Sequence, residues 1–235
     1  MPLIEFRDLT LRGIGRAPDA PPILDSISLR LSEHRIGIIG ANGSGKSSLV
    51  RCINGLNIPD AGEVTVDGLS TAKRAGEIRR QVGFLFSNAD NQIIMPTVAE
   101  DVGFSLRGKK LSRQDKRAAV AEILDQLGLA GKEEQSPHTL SGGEKQLLAL
   151  ASILVMSPRL IIADEPTTLL DLRNRQRIAH TLAALEQQLI VVSHDLELFE
   201  GFDRVIWIDD GRIRADSADG GSVATVLSDY RTCML

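Results

Sequence analysis

Two cysteines, one tryptophan and one tyrosine are all that this 235-residue chain contains of those residues, and aromatics make up only 3%. Cys52 and Cys233 lie far apart and match no metal-ligand or redox spacing. That excludes a disulfide scaffold and suits a reducing cytoplasm. Long hydrophobic runs are also missing. The longest nearly apolar stretch, Leu147 to Met156, falls well short of the ~18–20 residues that cross a bilayer. The opening residues MPLIEFRD lack a basic region followed by an apolar one, so no secretory signal is expected. Nor is there an excess of positive charge. Lys and Arg number 27 against 31 Asp and Glu, a formal charge of −4, which argues against a protein that chiefly grips a nucleic-acid backbone. Repeats and low-complexity tracts are absent as well.

What remains is the composition of an ordinary globular protein, 43% hydrophobic and 25% charged. The length allows one compact domain or two small lobes. It also suffices to bury roughly 70–75% of the unfolded surface without a staple. Residues 3–11 and 23–31 read as strands separated by a Pro-rich turn, Ala17 to Pro22. The run IGIIG at 36–40 predicts a strand buried on both faces. A helical periodicity follows, with apolar positions at Leu49, Val50, Ile53 and Leu56. Short apolar runs at Leu160–Ala163 and Leu189–Val192 predict neighbouring buried strands. They end in Asp164-Glu165 and Ser193-His194, which gathers polar chemistry at the carboxyl ends of a parallel sheet. Helices are predicted over 112–128 and 142–156, and a terminal hairpin over 205–213. The chain thus reads as an α/β core with a mostly helical insertion at about 87–158.

Between the buried strand and the first helix stand Gly40, Ala41, Asn42, Gly43, Ser44, Gly45, Lys46, Ser47 and Ser48. The first eight match G-x-x-x-x-G-K-[ST] at every fixed position. Glycines let the backbone approach a phosphate and turn N–H groups toward it. Lys46 would reach the β- and γ-phosphates, and the Ser47 hydroxyl would ligate Mg²⁺. The helix behind them directs the positive end of its dipole at the same anion. A solvated glycine-rich turn is the bland alternative, and the flanking strand and helix argue against it. Such a loop specifies a nucleoside triphosphate but no particular reaction.

A second signal narrows the class. L-S-G-G-E at 140–144 contains a capping box, Ser141 with Glu144, and so predicts a helix start with two exposed glycine amides. Alone it would be commonplace. Here it follows the phosphate loop and precedes Asp164-Glu165. With GANGSGKS, LSGGE, LIIADE, Leu170-Asp171 and His194 in this order, the chain resembles the ATP-binding-cassette (ABC) ATPases over essentially its whole length. The resemblance implies a P-loop NTPase of the ABC-ATPase fold. Its mixed-sheet core and N-terminal antiparallel β subdomain would occupy 1–86 and 159–235, and its helical subdomain 87–158.

It further implies ATP and Mg²⁺ as cofactors and a head-to-tail dimer, in which each ATP lies between one phosphate loop and the partner's signature. Ser141, Gly142 and Gly143 would then meet the γ-phosphate of ATP held by Lys46 of the other protomer. Asp164 would hold Mg²⁺ with Ser47, Glu165 would polarise the attacking water, and His194 would contact the γ-phosphate. Asp171 would sit at the dimer seam. A single cassette without a membrane span fits a peripheral ATPase on the cytoplasmic face of the cell membrane. Its partners would be a second identical protomer, a membrane coupling subunit and a substrate-binding membrane subunit, with no nucleic acid.

The segment FSNADNQ (86–92) followed by TVAEDVGF (97–104) is similar to the energy-coupling-factor importers, above all the biotin importer ATPase, with cobalt and nickel importers close behind. The chain departs from the family at three points. Ser87 stands where a glutamine is usual, with Gln92 five residues on. No adenine-stacking aromatic occurs at 11–16. Leu147 replaces a basic residue. Two rivals remain at this stage. A soluble ABC regulator lacks its usual marks here, heptad arms or a second cassette. A small-molecule kinase gives no reason for LSGGE.

Overall fold

A computed structural model describes residues 1–13, 15 and 20–234. The elements in chain order are β1 (Ile4–Leu11), β2 (Leu24–Leu31), β3 (Arg35–Ile39), α1 (Lys46–Ile53), β4 (Ala61–Val66), β5 (Leu69–Ser70), α2 (Thr71–Ile78) and β6 (Val82–Leu85). There follow α3 (Val98–Ser105), α4 (Arg113–Gln126), α5 (Gly142–Leu154), β7 (Leu160–Asp164), α6 (Leu172–Ala183), β8 (Gln188–Val192), β9 (Arg204–Asp209), β10 (Arg212–Asp216) and α7 (Val223–Met234). The chain folds into two compact units. The first comprises Met1–Val82, Arg159–Asp164 and Gln187–Leu235; the second comprises Gly83–Pro158 and Glu165–Glu186. The expected turn at 17–22 and the 11–16 segment lie partly outside the described residues.

In the first unit, β2-β1-β4-β5 form an antiparallel sheet, and β10-β9-β3-β8-β7 form a mixed one. β3 runs parallel to β8 and β9, and β7 parallel to β8. The last four residues of β3 and all of β7 and β8 are buried, as the unbroken apolar runs predict for strands covered on both faces. β1 shows an irregular in-and-out pattern instead, because Asp8 takes a positive φ where its pairing register shifts. The expected hairpin is present, and Asp210 and Gly211 both have positive φ as a tight primed turn requires. It is not terminal, since α7 follows and packs on β9 with Tyr230 edge-on to Trp207. Helix α1 stops at Ile53, leaving Leu56 exposed beyond it rather than on the buried stripe. Cys52 lies on that stripe, and burial pushes its thiol up to about 12, which makes it inert.

The second unit is organised around α5, against which α3, α4 and α6 all pack. Its buried residues run almost continuously from Gln146 to Ile153, the pattern of a helix enclosed by neighbours. Leu147 faces this interior and is buried, which gives the apolar side chain its place. The buried Asp101 carboxylate accepts bonds from the Ile94 and Met95 N–H groups and the Ser152 hydroxyl, joining α3 to α5. Both predicted helices are found, with Ser112 and Ser141 as their N-caps. The unit extends beyond 87–158 because α6, sixteen residues later than Met156 in its first residue Leu172, also packs on α5.

Candidate functional site

The phosphate loop leaves β3 at Gly40 and enters α1 at Lys46. Gly40 has φ 152°, and a Cβ there would fall 2.1 Å from the Ile208 carbonyl oxygen. No other residue fits. Gly45 caps α1 in the left-handed region with φ 103°, and no side chain caps the helix. Gly45 has no side chain to cap α1, and the positive end of the helix dipole faces the loop. Lys46 folds back into the loop, where its ammonium donates to the Gly40 and Ala41 carbonyls at 2.8 Å each.

Asp164 ends β7 and is buried. Its Oδ1 accepts from the Ser47 hydroxyl at 2.6 Å, and its Oδ2 from the Arg51 guanidinium at 3.1 Å. A hydroxyl and a carboxylate within 2.6 Å of one another are the hard oxygen donors that suit Mg²⁺, whose other positions water and phosphate oxygens can fill. Among the described residues no group of three or more His, Cys, Asp or Glu could hold a metal ion. Sheet register places Asp164 and Ile38 both level with Val192. The loop after β3, Asp164 and His194 thus leave the same end of the sheet. His194 is exposed there, in a turn where the Ser193 hydroxyl accepts from the Asp195 N–H at 3.0 Å.

Within the second unit, Glu165 opens its segment with φ 53° and accepts a bond from the Thr168 hydroxyl at 3.1 Å. A glutamate in the left-handed region is strained, a condition that concentrates at functional sites. The signature forms the expected capping box. The Glu144 carboxylate accepts from the Ser141 N–H at 2.9 Å and the Ser141 hydroxyl at 2.8 Å, and pairs with Lys132 at 3.1 Å. These bonds hold Glu144 down to about 2. One expectation needs correcting. Gly142 is exposed but Gly143 is buried, because the Asn174 side chain lies over it. Asp171 caps α6, accepting from the Asn174 N–H at 2.8 Å and the Asn174 amide at 2.9 Å.

Gln92 has both ends of its amide engaged. Its Oε1 accepts from the Phe86 N–H at 3.4 Å, and its Nε2 donates to the Ala149 carbonyl at 3.2 Å. Gln146 donates to the Phe86 carbonyl at 3.0 Å. Two glutamines therefore clamp the segment that carries Ser87. Sequence reasoning missed Arg51, Asn174 and Gln146. Arg51 stands one helical turn beyond Ser47, and Asn174 three residues beyond a helix-capping Asp171. Both spacings could have revealed them.

These features define a phosphate-loop nucleotide-binding protein with a separate capped-helix signature. A protein-family profile described as "ABC transporter" matches residues 24–168. The chain is 46% identical over 209 residues to an ABC transporter ATP-binding protein of Deinococcus radiodurans, covering 89% of this chain and 92% of that one. It is 43% identical over 217 residues to the biotin transport ATP-binding protein BioM of Rhodobacter capsulatus, covering 92% and 91%. To the cobalt import ATP-binding protein CbiO of Syntrophus aciditrophicus it is 39% identical over 220 residues, covering 91% and 78%. Among solved structures, the dimeric ATP-binding cassette MJ0796 bound to ADP and Pi superposes with a TM-score of 0.79 at 28% identity, covering 91% and 97%. The chain belongs to the ABC transporter family as an ATP-binding, ATP-hydrolysing subunit. ATP with Mg²⁺ is its cofactor. Among the described residues no helix is long and apolar enough to cross a membrane.

Proposed function

We propose that this chain powers an energy-coupling-factor importer as a head-to-tail homodimer on the cytoplasmic face of the membrane, with biotin as the cargo. The observation that carries the dimer is the presence of two differently built helix starts in one chain. α1 follows the phosphate loop through Gly45, which has no capping side chain, and α5 is capped in a way that leaves the Gly142 and Gly143 N–H groups outside its capping box. The similarity to BioM supports the cargo, and CbiO marks cobalt as the competing outcome. On this reading residues 1–86 and 159–235 form the nucleotide core, with 165–186 packing beside the helices of 87–158, and 87–158 is the helical subdomain that meets the membrane coupling subunit.

The loop from Gly40 to Ser48 wraps the phosphates, and Lys46 exchanges its two carbonyl acceptors for phosphate oxygens. Ser47 and Asp164 would hold Mg²⁺, which would supply charge neutralisation at the phosphates when bound. Glu165 accepts the proton of the water whose oxygen attacks the γ-phosphorus, as the bond from that phosphorus to the bridging oxygen breaks and ADP leaves. His194 donates to the γ-phosphate. The partner's Ser141, Gly142 and Gly143 supply the remaining donors, and Asp171 lies at the seam. Gln92 takes no part, since both ends of its amide are engaged elsewhere. Donors aimed at developing charge from both protomers make separated protomers poor catalysts.

Replacing Glu165→Gln is expected to trap an ATP-bound dimer and slow hydrolysis by at least ~10²-fold. Light scattering with and without ATP reads the first effect, and phosphate release the second. Turnover at the wild-type rate contradicts the assignment of the base. Isolation with native partners reads the cargo. Membrane proteins retaining biotin support the proposal; retained cobalt redirects it, and ribosomes or DNA reject transport.

A further inference from the structure

Asn174 lies outside every motif discussed above, yet it bridges two of them. Its backbone and side-chain N–H groups donate to the two oxygens of Asp171, at 2.8 and 2.9 Å. With its Nδ2 fixed by that bond, its Oδ1 is turned toward the start of α5. A Cβ placed on Gly143 would fall 2.2 Å from Asn174 Oδ1, 2.4 Å from its Cγ and 2.8 Å from its Cβ. Such approaches leave room only for hydrogen, so Gly143 is required here by contact. Its neighbour repeats the arrangement more loosely. A Cβ on Gly142 would meet Leu170 Cδ2 at 3.5 Å. The residues around Asp171 therefore rest on both signature glycines, while Ser141 and Glu144 brace the same turn from within.

We infer that Asn174 is a positioning residue for ATP hydrolysis, setting the Gly142–Gly143 peptide so that its N–H groups point at the nucleotide of the partner protomer. This rests on the head-to-tail reading proposed above. The carboxamide is suited to the task because it donates to Asp171 and presents an oxygen to Gly143 at once. Aspartate would lose the donor and set a second carboxylate beside the Asp171 carboxylate. Alanine would keep the cap of α6, which uses the residue 174 backbone N–H, while releasing Gly143. Movement of Asp171 is thereby transmitted to the signature through one side chain.

Five purified variants test this. Asn174→Ala is expected to lower turnover at saturating ATP at least tenfold while leaving nucleotide affinity of the protomer, read by a fluorescent ATP analogue, within twofold. In the Glu165→Gln background it should raise the protein concentration needed for the ATP-bound dimer at least tenfold. Gly143→Ala should be more severely impaired. Gly143→Ala combined with Asn174→Gly should recover at least fivefold over Gly143→Ala alone, because glycine removes the Cβ that would still stand 2.8 Å away. Recovery of activity cannot arise from misfolding. Wild-type turnover and dimerisation in Asn174→Ala, or no recovery in the double variant, overturns the inference and leaves the dimer intact. Failure of Glu165→Gln alone to dimerise with ATP overturns the head-to-tail reading and this inference with it.

Discussion

The two helix starts that the proposed mechanism uses are built in opposite ways. Helix α1 begins at Gly45 with no side-chain cap, and the only cation in its loop, Lys46, is held by two carbonyls. Helix α5 begins at Ser141 with both bonds of a capping box, and its own carboxylate, Glu144, is held ionised by Ser141 and Lys132. Both present a positive dipole end. The first sets an ammonium beside its start, donating to two neutral carbonyls. The second has already engaged two donors within its own capping box and placed a negative charge nearby. On the proposed reading, the phosphate loop binds nucleotide and the signature completes a site that another protomer has filled.

Deleting the cation should expose this difference most. Lys46→Ala is expected to reduce kcat/KM for ATP at least ~10³-fold, with nucleotide affinity falling as well, because the ammonium serves both the ground state and the transition state. Ser141→Ala removes a cap worth about 1 kcal/mol. It should lower turnover roughly tenfold, about 1.4 kcal/mol, while nucleotide affinity of the protomer stays unchanged. Equal losses of affinity in both variants would erase the contrast between the two starts.

The smallest effect concerns pH. Folding lowers Glu144 from its ordinary value of 4.5 to about 2, through its bonds to Ser141 and then Lys132. Its contribution to stability is therefore full above about pH 4.5 and lost as pH falls toward 2. At pH 7, Glu144→Gln should melt lower by about 2–4 °C for each kcal/mol removed. The gap from wild type should close on acidification through that window, and calorimetry at successive pH values reads it. A gap independent of pH would mean that packing, not ionisation, gives Glu144 its role.

The legibility of the sequence follows the same division. GANGSGKS could be read because a strand, three glycines and a lysine within a few residues admit one local geometry, and Gly40 and Gly45 have it. The capping box was legible for the same reason, since Ser141 and Glu144 meet within one turn. Burial of Gly143 was not, because its cause is Asn174, thirty-one residues away. The engagement of Gln92 also depends on a distant partner, the Ala149 carbonyl. β4 escaped notice because only Val64, Thr65 and Val66 are buried in it, after an exposed Ala-Gly-Glu. Its partner β1 supplies the order that its own pattern lacks.

The most direct test of the account mixes two inactive proteins. Lys46→Ala lacks a working phosphate loop, and Ser141→Arg would lack a working signature. In a head-to-tail dimer of one protomer of each kind, one composite site unites the intact loop of the second with the intact signature of the first. Equal mixing should therefore restore hydrolysis to about one quarter of wild type, the random share of intact sites in a two-fold dimer. A mixture that forms mixed dimers yet stays as inactive as its components would contradict a site shared between protomers.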